Sequence, residues 1–205
     1  MTGVASQRRG RPGRPGRPGH DLESILRAAA RLFTERGYDA TSMEDLSRAL
    51  GIGKSAIYHH VSSKEELLRL ATDRALDGLF EVAASVAVAP GRAIDRLEQL
   101  VRGSVAVLAA ELPFVTLLLR VHGNTATERA ALARRREFDQ LTASLVKQAV
   151  ADGDLRPDID PAVTARMLFG LVNSVVEWYH PGHGSGDTAL ADAICKLAFG
   201  GLRAA

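Results

Sequence analysis

The chain has 205 residues, enough to bury a real core as one medium unit or two small ones. Apolar residues make up 46% but aromatics are scarce; Leu, Ala and Val dominate with charges interleaved, a helix-former's composition. No apolar run approaches the roughly 20 residues that span a bilayer, and no hydrophobic stretch follows the basic N-terminus as a secretory signal requires. Cys195 stands alone, which excludes a disulfide framework and makes the cytoplasm the expected compartment.

The net charge of +2 conceals an asymmetry. Arg8, Arg9, Arg11, Arg14 and Arg17 put +5 on residues 1–20, which leaves the rest of the chain at −3. Arg-Pro-Gly occurs three times between Arg11 and Gly19. Pro and Gly at that density forbid helix, and no apolar residue is there to anchor the segment. Residues 1–20 are expected to form a disordered cationic arm. It is either a solubilising tail or, the favoured reading, an arm that tracks a polyanion.

From Asp21 a helical period takes over, with Leu22, Ile25, Ala29, Leu32 and Phe33 on one face and Gly37 as the stop. Thr41 and Glu44 have the spacing of a capping box before a short helix that buries Met43, Leu46 and Leu50. Gly51-Ile52-Gly53 interrupts for about one turn. A second short helix is expected from Lys54 or Ser55 to Val61, with Ile57 and Val61 inward. Ser62 and Glu65 read as another capping box, opening a long helix through Leu67, Leu68, Ala71, Ala75, Leu79 and Val82 that ends before Pro90. Two short helices joined by a Gly-containing turn and flanked by further helices make a helix-turn-helix unit.

The second half is helical as well. Ile94, Leu97, Val101, Val105 and Leu108 form a stripe, and Pro113 suits a new helix start. Thr125 and Glu128 cap a long helix carrying Ala131, Phe138, Leu141, Leu145 and Ala149, which Gly153 ends. Asp160 and Pro161 start a helix that is apolar on nearly every side, expected to run through Trp178 and to be buried all round. A Gly-rich loop containing Pro181 precedes a last helix through Leu190, Ile194, Leu197, Ala198 and Leu202. The fold class is therefore all-α: a three-helix helix-turn-helix head over residues 21–66 and a body of about six helices over residues 67–205.

The stretch 25–68 carries a recognisable pattern. It reads Ile-Leu-x-Ala-Ala-x-x-Leu-Phe-x-Glu-x-Gly-Tyr, then Thr-Ser-Met-x-Asp-Leu, then Ala-Leu-Gly-Ile-Gly-Lys-Ser-Ala-Ile-Tyr-His-His-Val-x-Ser-Lys-Glu-Glu-Leu-Leu. It closely resembles the TetR family of repressors. The resemblance implies a homodimer that binds a near-palindromic double-stranded DNA operator, a body that takes a small-molecule effector, and no membrane association. It places Thr41 and Ser42 at a helix start facing phosphate, and Lys54, Ser55 and Ala56 at the base-reading end of the recognition helix. It makes Tyr58 and His59 a phosphate clamp, against the plainer reading that they cover the head's core, and Lys64 the lysine that pins the backbone. The last two helices would supply the dimer seam, with Ala191, Ala198, Gly200 and Gly201 allowing close approach.

The run Trp178-Tyr179-His180-Pro181-Gly182 is similar to a TetR subgroup whose eighth helix commonly ends Trp-Tyr-Arg-Pro-Gly, with His180 here where arginine is usual. Several members of that subgroup respond to acyl-coenzyme A thioesters. Leu117, Arg120, Val121, Leu168, Val172, Asn173 and Trp178 are the expected effector contacts, apolar surface with a few directed polar groups. Asn173 capping buried backbone and Trp178 filling the dimer seam are the alternatives, and a multidrug-responsive repressor of an efflux system is the alternative function. Arg134, Arg135 and Arg136 read as a solvated face, and Cys195 as a small buried hydrophobe. His180 and His183 lack the further ligands that a metal site needs. No nucleophile–base set, P-loop or dinucleotide fingerprint is present, so neither enzyme chemistry nor a cofactor is expected.

Overall fold

A computed structural model describes residues 21–180 and 187–201, and all regular structure among them is helical. The cationic arm, the Gly-rich loop with His183, and Leu202 lie outside the described residues.

α1 (Leu22–Arg36) opens on Asp21, whose carboxylate accepts from the Ser24 N–H at 2.9 Å. It stops at Gly37, where φ of 88° needs glycine. α2 (Met43–Leu50) and α3 (Lys54–Tyr58) are the two short helices, and α4 (Lys64–Ala87) is the long one behind them. The caps of α2 and α4 sit one residue later than the spacing predicts. Ser42 pairs with Asp45 in a reciprocal box, and Ser63 accepts from the Glu66 N–H. Thr41 and Ser62 are outside the helices because the residue inside each cap is the one whose N–H reaches the hydroxyl. Leu46, Ile57, Val61, Leu67 and Phe33 close the head's core, and Tyr38 stands edge-on to Phe33 with ring centres 5.2 Å apart.

α4 leaves the head and becomes the spine of the body, at 24 residues about 36 Å long. α5 (Ala93–Ala110) lies against it so closely that a Cβ at Gly103 would collide with the Val82 side chain. Glu111 and Pro113 then turn the chain by 102° into α6 (Leu112–Arg120), which packs back on α1 and α4. α7 (Ala126–Ala151) begins at the expected Thr125–Glu128 box and packs on α4, α5 and α8 (Pro161–Asn173). Its inner face is Ala131, Phe138, Thr142, Val146 and Ala149. Leu141, expected inside, is 47% exposed because the 3.6-residue period carries it past the edge of the contact.

α8 ends at Asn173 and continues as a tight turn over Ser174–Glu177, so the apolar run to Trp178 is two pieces. Only one face of it is covered. Ala165, Leu168, Phe169 and Val172 are buried, whereas Val163, Met167 and Trp178 are exposed. α9 (Asp187–Cys195), extended by a wide turn over Lys196–Gly200, packs on α5 through Ala191, Ile194 and Cys195, and Arg102 of α5 pairs with Asp192. No single helix among the described residues is long and apolar enough to cross a membrane.

Candidate DNA-binding face and effector cavity

The exposed side of α3 brings together most of the residues expected to meet DNA. Lys54, Ser55, Tyr58 and His59 face solvent and Ala56 is half-buried; Tyr58 keeps 49% of its surface open while Ile57 turns inward. Core coverage therefore falls to Ile57 and Val61. Ser42 is exposed at the start of α2. The Lys54 ammonium lies 3.0 Å from Glu44, and this hydrogen bond holds the Glu44 carboxyl below its ordinary range. Hydrogen bonds from Ser42 do the same for Asp45. Lys54 spends one of its three N–H donors on Glu44.

Thr41 and Lys64 stand apart from that face. The Thr41 hydroxyl is buried and donates to the Gly37 carbonyl at 2.8 Å. The Lys64 ammonium donates to the Tyr38 and Thr41 carbonyls at 2.8 and 2.9 Å and sits 4.1 Å above the Tyr38 ring. Both side chains fasten the turn between α1 and α2. In this arrangement both side chains are turned to the carbonyls of the turn, which need donors, rather than to the open face of α3.

Head and body are joined by an ionic cluster that the motif reading did not single out. Glu111, at the α5–α6 corner, receives Arg74 of α4 at 2.7 Å and lies 3.7 Å from Arg27 of α1; Arg27 and Arg74 also approach Glu23 at 2.7 and 3.6 Å. The Glu23–Arg27 spacing of four was visible in the sequence, but its partners 37 or more residues away were not. Arg134, placed on a solvated face by its spacing, instead binds Asp73 and Asp77 of α4 at 2.9 and 2.8 Å and covers Phe80.

Inside the body, α4 to α8 enclose a cavity of about 40 Å³. Its wall is apolar (Leu79, Leu108, Val115, Leu118, Phe138, Phe169, Val172) apart from Ser104, Arg135, Asp139 and Asn173. Phe138 and Phe169 meet edge-on at 5.1 Å. Burial pushes the Asp139 carboxyl above its ordinary range, with Arg135 and Arg166 pulling it down. Of the expected effector contacts, Val172 and Asn173 line this cavity. Leu117 and Arg120 of α6, with Val121 just after it, line a different cleft of about 480 Å³ between the body and the α1–α2 turn. Leu168 is buried elsewhere under α8, and Trp178, 57% exposed, faces outward. The seven therefore do not converge. Arg135, Phe138 and Asp139 were missed, although Arg135 and Asp139 are one helical turn apart beside a core aromatic. Cys195 is 2% exposed, and burial raises its thiol pKa.

A helix-turn-helix head with an open recognition helix, carried on a helical body with a cavity and with one face of its last two helices open among the described residues, defines a ligand-binding transcriptional regulator. Residues 25–71 match the family of bacterial regulatory proteins of the tetR type, and residues 90–202 match the tetracyclin repressor-like C-terminal domain. The chain belongs to the TetR family and is a non-enzymatic transcriptional regulator. It is 30% identical over 181 residues to the HTH-type transcriptional repressor KstR2 of Rhodococcus jostii, spanning 87% of this chain and 89% of that protein. SCO3833, a TetR-family member from Streptomyces coelicolor, superposes with a TM-score of 0.83 at 55% identity, covering 89% of this chain and 92% of that one. AibR in complex with isovaleryl coenzyme A and operator DNA superposes with a TM-score of 0.72 at 29% identity, covering 86% and 97%.

Proposed function

We propose that the protein is a repressor that binds a near-palindromic operator as a homodimer and is released by a small apolar metabolite, a coenzyme A thioester of a catabolic pathway. The observation that carries the effector reading is the mostly apolar cavity holding Arg135, Asp139 and Asn173, whose side chains have no hydrogen-bond partner among the described residues. Apolar walls with a few directed polar groups are what a small-molecule site needs. The likeness to AibR, whose complex contains isovaleryl coenzyme A and operator DNA, supports the thioester class.

Ser42, Lys54, Ser55, Ala56, Tyr58 and His59 are the DNA contacts in this reading, and Thr41 and Lys64 position them. One short helix reads too few base edges for a specific site, so two heads are required. The uncovered apolar side supplies the seam: Val163, Met167 and Gly170 on α8, Trp178 after its closing turn, and Ala189, Ala193, Leu197 and Gly200 further on are all exposed. Ala191, assigned to that seam by its size, faces α5 of its own chain. The arm of residues 1–20 adds phosphate neutralisation, and the site of action is the cytoplasm. Asp139 favours one second reading, a multidrug-responsive regulator of an efflux system, since a carboxylate in an apolar wall suits a cationic ligand.

The test is a thermal-shift panel of free acids, their coenzyme A thioesters and cationic amphipathic drugs, followed by release of the protein from DNA of its own upstream region. Release by thioesters supports the reading. Release by cationic drugs alone turns it to the efflux alternative, and release by none refutes both.

A further inference from the structure

The internal cavity and the head–body cleft share a wall. Val115, Leu118 and Leu119 of α6 line the cavity, while Leu117, Leu119 and Arg120 line the cleft, so Leu119 belongs to both. At about 40 Å³ the cavity holds only a few heavy atoms, whereas the cleft, about 480 Å³, is in the range of small-molecule sites.

The cleft is also chemically different. Arg36, Arg120 and His122 lie in its wall against Asp39 and Glu128. The Glu128 carboxylate is already occupied, accepting from the Asn124 and Thr125 N–H groups at 2.5 and 3.1 Å. The two guanidiniums have only loose partners, Arg36 at 3.8 Å from Asp45 and Arg120 at 3.6 Å from Glu177. Thr34 adds a buried hydroxyl with no hydrogen-bond partner among the described residues. The formal charges of the two guanidiniums and the two carboxylates cancel, but the Glu128 carboxylate is engaged by backbone N–H groups, so the cleft is rich in unused donors.

We infer that the effector lies astride α6, its apolar end in the internal cavity and its anionic, phosphorylated end in the head–body cleft against Arg36, Arg120 and Thr34, with Leu119 as the gate between them. This rests on the thioester reading above and says where each half of such a molecule sits. It also gives the effector a direct hold on the DNA-binding head, because the far wall of the cleft is the Phe33–Ala40 segment, whose Tyr38 is the anchor of Lys64. An occupant that fits the cleft better when the head is displaced shifts the protein away from the operator-binding form.

The experiment is calorimetric binding of propionyl-, isobutyryl- and isovaleryl-coenzyme A, the matching free acids and coenzyme A itself to the full-length protein and two variants. The double variant Arg36→Ala/Arg120→Ala is expected to weaken the thioester about tenfold or more and leave the free acid within about twofold, since only the thioester loses charge-assisted bonds. Leu119→Trp is expected to weaken both. Thioester affinity unchanged in the double variant overturns the inference, whether or not Leu119→Trp folds. Binding of free acids without thioesters overturns it too, while leaving a smaller effector in place. Binding of no compound to the unaltered protein removes the thioester reading itself.

Discussion

Replacing Lys64 with methionine keeps most of the side chain's packing and removes its ammonium. Two charged hydrogen bonds disappear, to the Tyr38 and Thr41 carbonyls at 2.8 and 2.9 Å, together with the contact over the Tyr38 ring. Charged hydrogen bonds contribute about 1.5–3 kcal/mol each when fully buried. This lysine is half-buried and water can replace part of the loss, so about 2–3 kcal/mol in all is expected. In a chain of this size that lowers Tm by about 4–12 °C. The same substitution should weaken operator binding at every salt concentration, because the turn that carries α2 loosens. The slope of log affinity against log salt should not change, since no phosphate contact is lost. Calorimetric melting and fluorescence anisotropy on operator DNA over a salt series measure both. An unchanged Tm with a slope shallower by about 0.9 would mean that Lys64 neutralises a phosphate, and the positioning role would fall.

Three further outcomes are expected. Leu197→Glu should give a folded monomer, because the side chain is already 36% exposed within one subunit, and should cost about 3–5 kcal/mol at the seam; a monodisperse wild-type monomer by light scattering at micromolar concentration refutes that seam. Asp139→Asn should raise stability at neutral pH by under about 1 kcal/mol, read as a higher Tm, the half-buried carboxyl being partly solvated. The folded pKa is raised above the ordinary 3.8, so the penalty grows as pH rises through the folded value and the gain should vanish near the ordinary one; a gain that persists at lower pH contradicts the assignment. Gly103→Val should force α4 and α5 apart and cost about 1–3 kcal/mol; an unchanged melting curve would show that Val82 yields freely.

The helix-turn-helix was legible because its signals are local. Glycines at Gly37 and Gly51, an apolar period and Ser/Thr caps lie within a few residues of the structure they dictate, and the errors there are one-residue slips between adjacent hydroxyls. The cavity proposed for the effector was not legible for the opposite reason. Its lining comes from five helices, and which side of α6 a residue faces depends on how the 102° corner seats that helix against α1. Leu117 and Leu118 are neighbours in sequence yet belong to different spaces. Periodicity also exaggerated burial in α8. An apolar run does not by itself say which of its faces is left open within one chain, as Val163, Met167 and Trp178 are here.

The central claim is that two such heads read one two-fold site. Nuclease footprinting of the full-length protein on its own upstream DNA tests this most directly. The account predicts one protected, near-palindromic stretch whose half-sites are centred about one helical turn, or a multiple of it, apart, with loss of protection in Tyr58→Ala. Protection of a single unpaired half-site, or none on any upstream fragment at low salt, would contradict it.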